Sequence, residues 1–410
     1  MSTRSAEASI KGYNYQFLHT IKDILELASS DDICTVEGIE DFDIEKDSDK
    51  DLIQYKYHEN QTFTNSRVAK PIALMFKHFL ANESDNLNYK LFIYLTDATL
   101  PIKDDEKIIA ILKIKEARKI LSNSEDELTT EEIDGFDEKI SVFNEKFSWK
   151  LTQKYSELES NIINTFESNL GITTHESQII YLANAVKVIS DISTKNDGER
   201  NITKRDFLDI LKSYEKIVYS SYINRVKGFN ELKKYYKKQK DSLNIKKHTS
   251  SYIVEINNIN RTNIAQLIVE LSKKFCYKDN KSTYKPITFV INCPVDEYAE
   301  FKKSVFNYIF SEDEIIKIND GYEDYQFNVN IFNEKLFSTM NRAGTKYNRV
   351  SFNFKLIHQN TLETNFEQLD YSSIGLFIVD NSTTSLTYVS EKQFYLNSLT
   401  NEQIIEIIGE

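Results

Sequence analysis

Glu37-Gly38-Ile39-Glu40-Asp41-Phe42-Asp43-Ile44, followed by an acidic turn and Asp51-Leu52-Ile53-Gln54-Tyr55-Lys56, is the stretch on which the fold of this chain turns. Polar and apolar side chains alternate through it, the period of a strand with one face covered. The pattern predicts strands over 33–37, 41–46 and 52–58. In the third, Leu52, Gln54, Lys56 and His58 share one face, and Ile53, Tyr55 and Tyr57 the other. Upstream, Tyr13, Phe17, Ile21, Ile24, Leu25 and Ala28 recur at helical spacing, predicting an amphipathic helix over 12–28 with Tyr13 and Phe17 in the core. Downstream, Ser66 reads as an N-cap, Pro71 falls early enough to be tolerated, and Ile72, Met75, Phe76 and Phe79 continue the helix. Tyr89 to Thr96 is a near-continuous apolar run, as in a buried strand. The expected order is helix, three strands, helix, strand.

The polar residues of this stretch fit one chemistry. Metal-assisted phosphodiester hydrolysis needs hard oxygen ligands for a divalent ion, a positioned water, and positive charge facing the phosphate. Asp41 heads a strand and offers a carboxylate. Gln54 offers an amide oxygen two residues before Lys56, whose ammonium can orient water and meet the phosphate. Glu37 ends the preceding strand and can bind the metal or hold a water. Asp43 lies on the same strand face as Asp41, and the sequence leaves open which of the two is the main ligand.

The helix–strand–strand–strand–helix–strand order, with an acid before Gln54-Tyr55-Lys56, resembles the PD-(D/E)xK nuclease superfamily in its Mrr-like Gln-x-Lys form. Gly12-Tyr13-Asn14-Tyr15-Gln16 at the helix start, then Glu37 to Asp41, narrows the likeness to Cap-type effector endonuclease domains of bacterial anti-phage systems (CBASS, Lamassu, HerA-coupled and ABC-three-component types). The resemblance covers residues 10–100. It implies a restriction-endonuclease-like αβββαβ core, catalytic Lys56, Gln54, Asp41, Glu37 and Gln16, and Mg2+ or Mn2+ held by Asp41, Gln54 and Glu37. It further implies double-stranded DNA as substrate and an active homo-oligomer. Activation would come from an SMC-like or HerA-like ATPase partner or from a cyclic nucleotide.

The rest of the chain bounds this reading. At 410 residues it is expected to form two or three domains. The divisions read from the pattern are a core over 1–103, a helical extension over 104–247 and an α/β or α+β domain over 248–410, so the fold class is α/β. Strands are expected at 251–256, 287–292, 314–318, 326–332, 350–357 and 374–379. Thr130 and Thr203 read as N-caps in the helical stretch. The net charge of −12 excludes a uniformly basic nucleic-acid binder but leaves room for a basic face. Lys233, Lys234, Lys237 and Lys238 form the strongest such group and are the candidate DNA-backbone contacts. Arg342, Lys346 and Arg349 around Gly344 form a second. Three widely spaced cysteines give no disulfide framework and no zinc pair, and Cys276 and Cys293 read as small buried hydrophobes. With no apolar run of spanning length, a cytoplasmic protein with no membrane partner is expected.

Overall fold

The computed structural model describes residues 7–46, 49–59, 61–83, 86–96, 99–122, 127–247, 249–275, 284–311, 315–381, 384, 386 and 392–410. The protein is a mixed α/β chain that divides into two compact units, Met1–Leu211 and Lys212–Glu410.

The first unit opens with α1 (Glu7–Glu26), β1 (Ile33–Val36), β2 (Phe42–Lys46), β3 (Asp49–His58), α2 (Asn65–Ala81) and β4 (Leu87–Leu95). It continues through α3 (Asp105–Leu112), α4 (Lys115–Leu121), α5 (Thr130–Asp134), α6 (Asp137–Lys146), β5 (Phe147–Leu151), α7 (Tyr155–Leu170), α8 (Thr174–Glu176), α9 (Ala183–Ser193) and β6 (Asn201–Thr203) into α10 (Lys204–Tyr222). Its sheet runs β5-β4-β3-β2-β1-β6. β1, β2 and β3 form an antiparallel meander, and β3 pairs parallel with β4 from Lys50–Leu87 to His58–Leu95. A parallel neighbour demands a crossover, and α2 supplies it.

Alternation along β3 sends its residues to two different layers. Leu52 joins the core under α2, with Phe76, Phe79, Tyr89, Phe143 and Phe147. Tyr55 meets α1, where its hydroxyl donates to Asp23 at 2.6 Å. The α1 stripe is turned from the predicted phase. Tyr15, Leu18, His19, Ile21, Ile24 and Leu25 are buried, whereas Tyr13 is 60 % exposed and Phe17 only half-buried. The predicted stripe was phased on Tyr13 and Ala28, but Ala28 lies beyond the helix end and is exposed. The second helix begins at Asn65 after Thr64, not after Ser66, and holds Pro71 inside it.

The stretch after β4 is not wholly helical, since β5 and β6 extend both ends of the sheet. Phe143, Phe147 and Leu151 keep helical spacing, yet the backbone turns extended at Phe147. There the Phe147 ring stacks on Phe143 with centroids 5.2 Å apart. Trp149, the only tryptophan of the chain, follows on β5 and packs edge-on against Phe63 and Phe147 at 5.7 and 6.0 Å. The cap of α5 is Thr129 rather than Thr130, through a reciprocal box with Glu132. Thr203 does cap α10, accepting from the Asp206 amide at 3.1 Å.

The second unit holds α11 (Phe229–Ser242), β7 (Tyr252–Ile256), α12 (Ile264–Phe275), β8 (Ile287–Ile291), α13 (Val295–Ser311), β9 (Ile318–Asn319), α14 (Val329–Phe332), β10 (Phe337–Arg342), β11 (Thr345–Val350), β12 (Phe354–His358), α15 (Gln359–Asn365), β13 (Gly375–Val379), β14 (Gln393–Leu396) and α16 (Asn401–Gly409). Its main sheet is parallel throughout, in the order β14-β13-β7-β8-β12-β9. β7, β8, β12 and β13 are buried at every residue, as strands covered on both faces must be.

Two expected features, the strand at 326–332 and a buried Cys293, take another form in the structure. The strand expected at 326–332 is instead the short α14, because the Asn328 side chain accepts from the Asn330 and Ile331 amides and starts a helix. The basic group around Gly344 sits on the β10–β11 hairpin, whose turn residues Ala343 and Gly344 have φ of 50° and 78°, both in the left-handed range that tight hairpin turns require. The Lys346 side chain lies outside the described residues. Cys293 is half-buried rather than buried, and Cys276 also lies outside the described residues.

The core under α2 is rich in aromatic rings. Phe143 is fully buried and meets the rings of Phe76, Phe79, Tyr89 and Phe147 at 5.2 to 5.6 Å. Phe143→Ala should therefore cost about 3–5 kcal/mol, read as a lower urea midpoint for the first unit. A cost below about 1 kcal/mol would show that this cluster does not hold the unit together.

Candidate active site

The turn between β1 and β2 is folded by Asp43. Its Oδ2 accepts the Ile39 amide at 2.9 Å, and its Oδ1 the Glu40 amide at 3.2 Å. Lys50 Nζ stands 3.6 Å from Oδ2. At 1 % exposure, this carboxylate is committed to the backbone. Gly38 lies against it, and a Cβ there would fall inside contact distance of Asp43 Oδ2. Glu37 opens the turn at φ 51°, a left-handed position rare for a non-glycine residue. Its amide bonds to Asp41 O at 3.0 Å, and its carbonyl accepts Arg200 Nη1 at 2.8 Å. These bonds hold Glu37 in that conformation.

Asp41 is placed differently. Both of its side-chain hydrogen bonds land on Oδ2, from Gln16 Nε2 and from the Tyr55 amide, each at 2.8 Å. The last paired residues of the β2–β3 ladder at this end are Phe42 and Ile53, so Asp41 and Gln54 each lie one residue past its end. Gln54 is 8 % exposed, and its Oε1 is buried without a hydrogen-bond partner. An amide oxygen in that condition costs about 1–3 kcal/mol unless something meets it.

Gln16 is presented by the anchoring of α1. The Tyr15 hydroxyl bonds to Thr152 Oγ1 and to Gln153 O, each at 2.6 Å, and its ring lies 4.5 Å from Tyr57 and 4.7 Å from His19. Lys56, half-buried on β3, has no hydrogen-bond or ion-pair partner among the described residues, yet its charge acts on Glu37, Glu40 and Asp41. Burial pushes Asp41 above the usual carboxylate range, against the pull of Lys56, the Tyr55 amide and Gln16. Burial and then Asp41 raise Glu37, with Arg200 and Lys56 opposing. Glu40 is pushed furthest, to about 8, by burial and then by Asp41. His58 is held low by burial, Arg67 and Lys56, and its Nε2 is buried without a partner.

The structure thus brings Gln16, Asp41, Gln54, Lys56 and Glu37 into one neighbourhood and gives Asp43 a separate structural task. It also adds Glu40, which the sequence reading passed over. The alternation of Asp41, Asp43 and Glu45 drew attention to the strand, while Glu40 lies one residue before it. A carboxylate adjoining Asp41 in the same turn was the available signal.

The donors fit a hard divalent ion. Glu37, Glu40 and Asp41 are crowded carboxylates with raised proton affinity, and a cation relieves such crowding. Gln54 Oε1 adds an unmet neutral oxygen, and all four are the ligand type of Mg2+ or Mn2+. Among the described residues, no group of three or more His, Cys, Asp or Glu is arranged as a ready metal cluster. Glu37, Glu40 and Asp41 therefore do not by themselves converge on one point in this structure.

Lys56 and His58 open on a shallow groove of about 290 Å³ that is also lined by Gly12, Tyr13 and Gln16. A larger cavity of about 750 Å³ lies against α1, lined by His19, Asp23, Lys46, Asp51 and Lys90 among others. Size does not make it the reactive site. Burial acts to raise Asp51, but Lys46 at 2.8 Å and Lys90 at 2.7 Å hold its carboxyl below the usual range, so these charges already satisfy one another.

The basic run lies on α11, in the second unit. Lys233 pairs with Glu406 at 3.3 Å and Glu410 at 2.9 Å, and Lys234 with Glu231 at 2.7 Å. Lys237 and Lys238 are exposed. Lys240 is buried and donates to Ile407 O at 2.7 Å, with burial lowering it to about 8. Part of this run therefore fastens α11 to α16.

No protein-family model matches this chain, and no curated protein matches it in sequence. No helix among the described residues is long and apolar enough to cross a membrane.

The raised Glu40 has a consequence for stability. Between its ordinary value of 4.5 and about 8, the folded chain retains a proton that the unfolded chain has released. Stability linked to Glu40 is thus present at low pH and is lost as pH rises across that window. Glu40→Gln should narrow the gap in melting temperature between the two ends of the window, measured in EDTA. An unchanged gap would refute the crowding of these carboxylates.

Proposed function

We propose that the first unit is a Mg2+- or Mn2+-dependent DNA endonuclease with a restriction-endonuclease-like αβββαβ core, acting as the effector of a bacterial anti-phage system. The observation that carries this reading is the buried Gln54 Oε1, without a hydrogen-bond partner among the described residues, next in sequence to the Tyr55 amide that holds Asp41 and two residues before Lys56. The element order and the β4-β3-β2-β1 arrangement support it, as does the Gln16–Asp41 hydrogen bond. So does the likeness of Tyr15-Gln16, Asp41 and Gln54-x-Lys56 to the Cap-type domains.

Asp41, Gln54 and Glu37 would hold the metal, with Glu40 as a further oxygen donor. The bound ion would supply charge for the phosphate and acidify a water. The chain's own residues do the rest. Gln16 and the Tyr55 amide fix the Asp41 carboxylate in one orientation by bonding Oδ2. Lys56 Nζ, without a protein partner, donates to a phosphate oxygen or to the attacking water. The shallow groove beside Lys56 and His58 admits an extended polymer rather than enclosing a small substrate. Lys234, Lys237 and Lys238 are candidates for salt-sensitive contacts to the DNA backbone. Cutting both strands takes two sites, or one used twice, which favours a homo-oligomer as the active form. An SMC-like or HerA-like ATPase, or a cyclic nucleotide, would switch it on.

Lys56→Ala and Asp41→Asn should each lower Mg2+-dependent plasmid cleavage by roughly 10²-fold or more, with far-UV circular dichroism unchanged. Equal cleavage by Lys56→Ala would remove this site from the chemistry. No cleavage by the wild type with Mg2+ or Mn2+, alone or with an activating ATPase or cyclic nucleotide, would favour an inert interaction subunit.

A further inference from the structure

A second cavity lies in the other unit, at the N-terminal ends of the parallel strands. It encloses about 300 Å³ and is lined by residues that include Ser251, Lys285, Thr288, Lys335, Lys355 and Tyr371. Lys355, on β12, is in register with Thr288 on β8. It is 5 % exposed, yet its ammonium has no hydrogen-bond or ion-pair partner among the described residues. Two aromatic rings lie near it, with Nζ 4.7 Å from the Phe332 centroid and 6.0 Å from that of Phe352. Such contacts return only part of what burying an ammonium costs.

The acids near this cavity do not neutralise it. Asp370 is engaged by Lys285 at 3.1 Å, and Glu334 is exposed at the mouth. Burial lowers Lys355 to about 8, with Asp370 and Glu334 opposing and Lys285 reinforcing the shift. Hydroxyl groups complete the lining. Ser251 Oγ accepts the Ser372 amide at 3.0 Å and so keeps its own proton to donate. The buried Tyr371 hydroxyl leans on Thr288 without a bond of full geometry.

We propose that this cavity is a binding site for the oxyanion of a small ligand, an organic phosphate or a carboxylate, with Lys355 as its central cation. A largely buried lysine with no paired anion among the described residues, in a cavity that hydroxyl side chains also line, is the complement of such a group. Lys335 is exposed at the wall, and Lys285 there is paired with Asp370. The site is independent of the nuclease reading, since every residue in it belongs to the second unit.

The test is calorimetric titration of the full chain with inorganic phosphate and, separately, with acetate, at constant ionic strength made up with chloride. Saturable one-to-one binding of either probe is expected, and the tighter one distinguishes phosphate from carboxylate. Lys355→Met should weaken it at least ~10-fold. In the absence of ligand, that variant should also melt higher than wild type, because an uncompensated ammonium is removed. Lys335→Ala, exposed and unable to disturb the core, should weaken binding several-fold, while Lys303→Ala, exposed on α13 and outside the cavity lining, leaves it unchanged. Absence of saturable binding in wild type, or equal binding by Lys355→Met, overturns the proposal.

Discussion

The hydrogen bond from the Tyr55 amide to Asp41 Oδ2 ties the sheet to its chemistry. It forms where the β2–β3 ladder runs out, so a backbone donor that would otherwise meet a strand carbonyl meets a side chain instead. The same residue turns its hydroxyl to Asp23 on α1. One tyrosine thus fixes a carboxylate with its backbone and a helix with its ring. Because side chains alternate, Gln54 and Lys56 on either side of it leave the strand on the opposite face from the Tyr55 ring. Burial pushes Asp23 up to about 6, so the carboxyl beneath Tyr55 is a weaker acid than its type suggests.

Asp41 and Asp43 differ by two positions, share a strand face in sequence and do unlike work. Asp43 closes its own turn onto two amides, and Gly38 leaves room for it. Asp41 is held by residues 25 and 14 positions away. Local bonds build the turn, and long-range bonds orient the Asp41 carboxylate. Removing either carboxylate would disturb the site, but by different routes.

Much of the first sheet was legible in the residues. Alternation at 41–46 and 52–58, and the apolar run at 89–96, correspond to β2, β3 and β4 within a few residues. The helix phase of α1 was misread, since an exposed Tyr13 and a terminal Ala28 look like core in a periodicity count. β5 and β6 were hidden because short strands at sheet edges carry too few residues to show a period, and Phe143, Phe147 and Leu151 mimic a helix. α14 depended on one asparagine side chain choosing backbone amides over solvent. At the candidate site, Gln16, Glu37, Asp41, Gln54 and Lys56 were named from pattern and likeness. The separation of Asp41 from Asp43, and the presence of Glu40, needed the turn's three-dimensional path. The lysine run on α11 shows the opposite limit, because sequence counts charges but does not reveal that Lys233 and Lys240 are engaged by α16.

Trp149 is the sole indole of the chain, and it lies in the first unit, between Phe63 and Phe147 on the edge strand β5. Red-edge excitation therefore sees one half of the molecule only. Its emission follows the melting of the sheet that carries Asp41 and Lys56, while the tyrosine-rich second unit stays dark at that wavelength. The two units can be watched separately in a single cuvette, by comparing indole emission with far-UV ellipticity, without adding a label.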